Sequence, residues 1–146
     1  MDTRMIDGVI LTPLRQIQHP QGDVFHGMKK SDAGFAGFGE AYFSTVRKGD
    51  IKAWKKHLSM TLNIIVPTGE IRFVLFDDRP VSPTKGATNE FTLSPDNYYR
   101  LTVPPQVWMA FQGLGDDNRL LNIASMEHVP DEMERLPLTA IPYCWS

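Results

Sequence analysis

Residues 62–76 read LNIIVPTGEIRFVLF, two short apolar runs hinged on Pro67, Thr68, Gly69 and Glu70. Each run is too short for a typical helix and is rich in β-branched and aromatic residues. The hinge carries turn chemistry, so the segment predicts a β-hairpin. Side chains alternate between the faces of a strand, which puts Ile71, Phe73 and Leu75 on one side and Arg72, Val74 and Phe76 on the other. Both sides are largely apolar. Such a strand needs cover above and below, so it belongs in the centre of a barrel or sandwich.

The same pattern recurs along the chain. Strands are predicted at residues 9–14, 23–28, 40–46, 51–58, 98–103, 107–112 and 119–125, separated by turn-forming segments such as HPQGD, RKGD and GLGDDN. Residues 77–89 read as a polar loop. Pro130, followed by Asp131, Glu132 and Glu134, predicts a short C-terminal helix of about two turns, its acidic residues facing the positive end of the helix dipole. At 146 residues the chain can bury one core and is too short to argue for two, so residues 1–146 are expected to form a single all-β domain.

A net charge of −2 offers no bulk attraction to nucleic acid or an anionic membrane, so any anion site has to be local. No apolar run approaches the roughly 20 residues of a membrane span, and the first residues lack the apolar stretch of a secretory leader. The single cysteine, Cys144, excludes an internal disulfide and suits a reducing cytoplasm. There is no phosphate-binding loop with its lysine, and no GxSxG elbow. Gly34, Gly37 and Gly39 only imitate a dinucleotide fingerprint, with phenylalanines where a helix should begin. His19, His26, His57 and His128 show neither HxH nor HxxxH spacing, so no metal site is expected.

Five of the 15 Lys and Arg residues fall between Arg47 and Lys56, with His57 immediately after. Regular alternation would put Ala53, Lys55 and His57 on one face and Lys52, Trp54 and Lys56 on the other. One interpretation is a solvated edge strand whose lysines discourage sheet-to-sheet aggregation. The other starts from Trp54 among the lysines and from His57, the residue type most often used as an acid or base near physiological pH. A base with cations beside it is the equipment of enolisation: a proton leaves carbon next to a ketone, and positive charge steadies the enolate oxygen. Trp108 and Phe111, on the strand after Pro104 and Pro105, are expected to be core or pocket wall, with base stacking as the sharper alternative. Tyr42, near Glu40, is a candidate acid.

Several segments carry a family resemblance. DGVILTPLRQIQHPQGDVF, GEAYFSTVRKGDIKAWKKH, GEIRFVLFDDR, SPTKG, LSPDNYYRLTVPP and HVPDEMERL stand in the order and spacing of a dTDP-4-dehydrorhamnose 3,5-epimerase, over nearly the whole chain in a shortened form. The resemblance implies a cupin-type jelly-roll β-barrel with a short C-terminal helix, a homodimer, and cofactor-independent, metal-free epimerisation of a nucleotide-linked 4-keto sugar. It also implies a catalytic histidine paired with an aspartate, and a tyrosine across the barrel as acid. An ungapped match puts Lys55 in the histidine's slot, Lys52 at a phosphate-binding arginine and Ala53 at a glycine. A shift of two residues restores a histidine, His57. The tyrosine position carries Asn122 and a second histidine position carries Met109. The partner aspartate comes from a region beyond the end of this chain. Glu40 falls where the family has a nucleotide-contacting glutamine, and His26 where it often has a glutamate.

The expected protein is therefore a nucleotide-diphospho-4-keto-6-deoxy-sugar epimerase or isomerase of surface-polysaccharide biosynthesis. His57 would be its base and Lys55 its enolate partner. Lys52 and Lys56 would hold the diphosphate, and Glu40, His26, Asn122 and Trp108 would contact the rest of the substrate. A non-catalytic nucleotide-sugar-binding module of the same fold is the alternative.

Overall fold

The structure is a computed structural model that describes residues 1–146. Its strands are β1 (Ile10–Pro13), β2 (Gln16–Ile17), β3 (Val24–Phe25), β4 (Glu40–Val46), β5 (Ile51–His57), β6 (Leu62–Thr68), β7 (Ile71–Phe76), β8 (Thr88–Leu93), β9 (Tyr99–Val103), β10 (Trp108–Gly113), β11 (Asn118–Ala124) and β12 (Met133–Arg135). One five-stranded sheet runs β1-β9-β6-β11-β4 and the other β12-β5-β10-β7-β8, while β2 and β3 form a separate hairpin. Every pairing between strands is antiparallel. The result is the cupin-type β architecture, two facing sheets with apolar side chains between them.

The β6–β7 hairpin forms where residues 62–76 demand it. Gly69 sits at φ +82°, and a Cβ there would lie 2.2 Å from the Asp117 carbonyl oxygen, so only glycine fits this turn. Strand β7 lies between β10 and β8, which explains its two apolar faces. Ile71, Phe73 and Leu75 enter the main core with Ile64, Val66, Leu101 and Leu120. Val74 points the other way, into a second cluster with Trp54, Trp108, Ala110 and Ile141, which Leu136, Tyr143 and Trp145 cover. The C-terminal segment thus roofs the outer face of the second sheet.

Two expectations fail here. Residues 88–93, read in part as polar loop, form edge strand β8, paired with β7 from Phe76↔Thr88 to Ile71↔Leu93. The polar residues of TNEFTL are compatible with an edge position, where one backbone rim is free. The short C-terminal helix is absent as such. Pro130–Glu132 make a single 3-10 turn, and the chain then extends into β12. Pairing with β5 (Met133↔His57, Glu134↔Lys56, Arg135↔Lys55) satisfies the backbone that a helix would otherwise satisfy internally. For the same reason β5 is not the solvated edge strand that its lysines suggest.

Candidate active site

Between the sheets, at one end, lies a cavity of about 270 Å³ with an apolar floor that includes Leu62, Ile64 and Leu120. Its polar groups come from both walls. Strands β4 and β11 present Glu40, Tyr42, Ser44 and Asn122; β5 and β12 present Lys52, Lys55, His57 and Arg135. His128 stands at the same cavity.

The register explains how one strand delivers so many cations. Residues paired across an antiparallel ladder share a face. Lys55 pairs with Met109 and Lys52 with Phe111, so three steps on β5 oppose two on β10. That is a β-bulge, and it interrupts the alternation. Lys52, assigned by regular alternation to the opposite face, is thereby turned towards the cavity. Its Nζ donates to Ser44 Oγ at 3.2 Å and lies 5.9 Å from the centre of the Phe111 ring. On the other side of the bulge, Lys55 pairs with Arg135 of β12 and His57 with Met133, and all four residues line the cavity.

His57 Nδ1 lies 2.6 Å from Glu132 Oε1, and the Glu132 side chain is only 5% exposed. Glu132 Oε2 accepts the backbone amides of Ser59 and Met60, each at 2.8 Å. Burial alone would push the Glu132 carboxyl up; the hydrogen bonds from His57 and the two amides outweigh it and hold it below the ordinary carboxylate range. An ionised carboxylate can only accept, so Nδ1 must carry the proton. In the neutral ring Nε2 then holds the lone pair. The backbone around His57 is also fixed. Gln106, at the unusual φ of +71°, donates its amide to the His57 carbonyl at 2.7 Å, and its Nε2 donates to the Leu58 carbonyl at 2.9 Å.

Lys52, Lys55 and Arg135 make no ion pair within the chain. Burial, then the Arg135 and Lys52 charges, lower the Lys55 ammonium from its ordinary value. Three cations thus stand at one cavity without a countercharge from the protein. No cluster of three or more His, Cys, Asp or Glu side chains is arranged to hold a metal ion.

Of the residues singled out in the sequence, the cavity gathers His57, Lys55, Lys52, Glu40 and Asn122. Three lie elsewhere. Lys56 is on the outer face, 4.9 Å from the Trp108 ring centre and within 4.0 Å of carboxylates of Asp78 and Glu134. Trp108 alternates away from Met109 and Phe111 into the outer cluster, where its Nε1 donates to Asp78 at 2.8 Å. His26 belongs to a separate cleft beside Arg15, Lys29 and Asp32. Phe111 is the cavity aromatic instead.

Glu132, Arg135 and His128 went unrecognised as cavity residues. Glu132 was absorbed into a supposed helix start, yet Met133 and Arg135 show the two-residue spacing of a strand. Within the chain, the carboxylate beside His57 is Glu132. Asp77 and Arg79 form a structural pair. Ser82 and Thr84 also bond the Asp77 carboxylate, which burial would raise and these hydrogen bonds hold far below the ordinary range.

With fold and cavity in view, comparison with known proteins is direct. No family model matches the chain. The crystal structure of a dTDP-sugar isomerase from Desulfovibrio desulfuricans G20 superposes with a TM-score of 0.92 at 42% identity, covering 96% of this chain and 92% of that one. A probable low-salt glycan biosynthesis epimerase of Haloferax volcanii, Agl13, is 33% identical over 103 residues, 66% of this chain and just under two thirds (65%) of that protein. The spore coat polysaccharide biosynthesis protein SpsL of Bacillus subtilis is 29% identical over 136 residues, covering 91% of this chain and 90% of that protein. The chain belongs to the dTDP-sugar isomerase and dTDP-4-dehydrorhamnose 3,5-epimerase family.

Proposed function

We propose that the chain is a cofactor-independent epimerase or isomerase of nucleotide-diphospho-4-keto-6-deoxy sugars, serving deoxysugar and polysaccharide biosynthesis. The observation that carries it is the His57–Glu132 pair set at a cavity with three unpaired cations. His57 Nε2 takes the proton from the carbon beside the C4 ketone, C3 or C5. Glu132 keeps the imidazole in the tautomer that can accept it and stabilises the imidazolium that forms. Lys55 steadies the enolate oxygen. Lys52 and Arg135 hold the diphosphate, with Phe111 and Glu40 towards the nucleoside. The ketone itself acidifies the C–H bond, so these steps call for no cofactor.

The non-catalytic alternative rested on the loss of the family's tyrosine and of its carboxylate partner; Glu132 supplies a carboxylate beside His57, while the tyrosine position carries Asn122. Residues 1–146 act as one cupin-like domain. No helix is long and apolar enough to cross a membrane, and a cytoplasmic enzyme working on an activated sugar is the fitting location. The free edge of β4, where Phe43 is 70% exposed, supports pairing into a homodimer.

Proton exchange tests the proposal. Incubated in heavy water with a thymidine-diphospho-4-keto-6-deoxyhexose, the protein is expected to place deuterium at C3 or C5. No incorporation with any 4-keto nucleotide sugar, by folded protein, would refute it.

A further inference from the structure

Inverting a carbon requires that the proton leave one face and another arrive on the opposite face, so a base alone is not enough. In this cavity the base stands on the wall formed by β5. The facing wall, β4 and β11, presents one phenol, Tyr42, on the same strand as the Glu40 carboxyl.

Tyr42 and Asn122 are direct partners in the β4–β11 ladder. Asn122 is 3% exposed, and its Nδ2 donates to the Tyr42 hydroxyl oxygen at 3.0 Å. A phenol that accepts this bond keeps its own O–H free to donate elsewhere. Asn122 also remains a donor to that oxygen once the proton has gone. Its Oδ1 is buried without any partner in the protein, an acceptor that a substrate hydroxyl can satisfy. Tyr42 is 45% exposed, so water can reach the phenolate and restore its proton.

We propose that Tyr42 is the proton donor for inversion, acting from the wall opposite His57, with Asn122 as its positioning residue. The inference rests on the epimerase function proposed above. The electron balance is simple. His57 Nε2 takes the α-proton, the C–H pair becomes the enolate double bond, and the carbonyl π pair moves to O4. The enolate then collapses, the α-carbon takes the Tyr42 proton on its other face, and O4 becomes a carbonyl oxygen again. His57 gives its proton to water and water reprotonates Tyr42, so nothing is consumed.

The test separates exchange from inversion. Wild-type protein and Tyr42→Phe are incubated with a thymidine-diphospho-4-keto-6-deoxyhexose in heavy water, and both deuterium content and epimer ratio are read by NMR. Tyr42→Phe is expected to keep exchanging the α-proton through His57, while net inversion falls by about 100-fold. Asn122→Ala is expected to lower the ratio of inversion to exchange by about tenfold, a ratio that a general loss of folded protein leaves unchanged. Val81→Ser, an exposed change away from the cavity and from the β4 edge, is the control. Equal inversion by Tyr42→Phe and wild type would overturn the role of Tyr42 and leave the epimerase function standing. Absence of exchange in the wild type would overturn both.

Discussion

Lys55 and Lys56 are neighbours in the chain with opposite surroundings. Lys56 lies over Trp108 and faces carboxylates of Asp78 and Glu134 at 3.9 and 3.7 Å. Lys55 is half-buried at the cavity, faces Arg135 and Lys52, and has no carboxylate partner; burial first and those charges second lower its ammonium. One ammonium is already matched and contributes to the outer packing. The other has no countercharge within the protein, which is what its proposed role towards the substrate requires. Residue type therefore says little about role on this strand, and the partners on each face decide it.

The largest effects should come from the cavity face. His57→Gln is expected to cut α-proton exchange by about 10³-fold or more, since a positioned base contributes about 10²–10⁴. Glu132→Gln should follow with about a 10²-fold loss. The amides of Ser59 and Met60 will hold the new carbonyl oxygen, so the amide NH₂ meets Nδ1 and forces the proton onto Nε2, the wrong tautomer for a base. Exchange rates with ligand affinity measured in parallel check both, because neither change should weaken nucleotide binding by as much.

The two lysines give the next contrast. Lys55→Ala is expected to weaken binding of the 4-keto nucleotide sugar about 10- to 100-fold, the worth of a charged hydrogen bond to the ketone oxygen. Lys56→Ala should leave that affinity alone and lower stability by about 1 kcal/mol, for the lost contact with Trp108 and two half-exposed ion pairs. Calorimetric titration and denaturant melts on both variants decide the matter. Equal loss of affinity in the two would dissolve the distinction between the faces.

The smallest effect is on acid stability. Glu132 is held below its ordinary carboxylate value in the folded chain. Its contribution is therefore complete above the unfolded value and is lost as pH falls through the folded one. Melting temperatures of wild type and Glu132→Gln should differ near neutrality and converge in acid. A constant gap across that range would show that Glu132 has no linked proton.

Much of the fold could be read from local pattern. Strand β7 declared its central place through two apolar faces, and Gly69 its turn through chemistry that only glycine allows. Strand β8 did not, because a polar edge strand and a polar loop look alike in one sequence. The cavity was half legible. Lys55 and His57 share a face by alternation, but Lys52 reaches that face through a bulge, and a bulge is set by partner strands. Glu132 is 75 residues from His57 along the chain, and the sequence offers no local trace of their meeting. Trp108 and Lys56 were misassigned for a related reason. The outer face of the second sheet looks like pocket lining until the C-terminal segment is seen to cover it.

The most direct test is a crystal structure with a bound nucleoside-diphospho-4-keto sugar or a stable analogue. The diphosphate is expected against Lys52 and Arg135 and O4 beside Lys55, with His57 Nε2 about 3–3.5 Å from C3 or C5, the separation of a reactive approach. A ligand seated instead on the outer face beside Lys56 and Trp108, or in the cleft beside His26, with the cavity between the sheets left unoccupied, would contradict it.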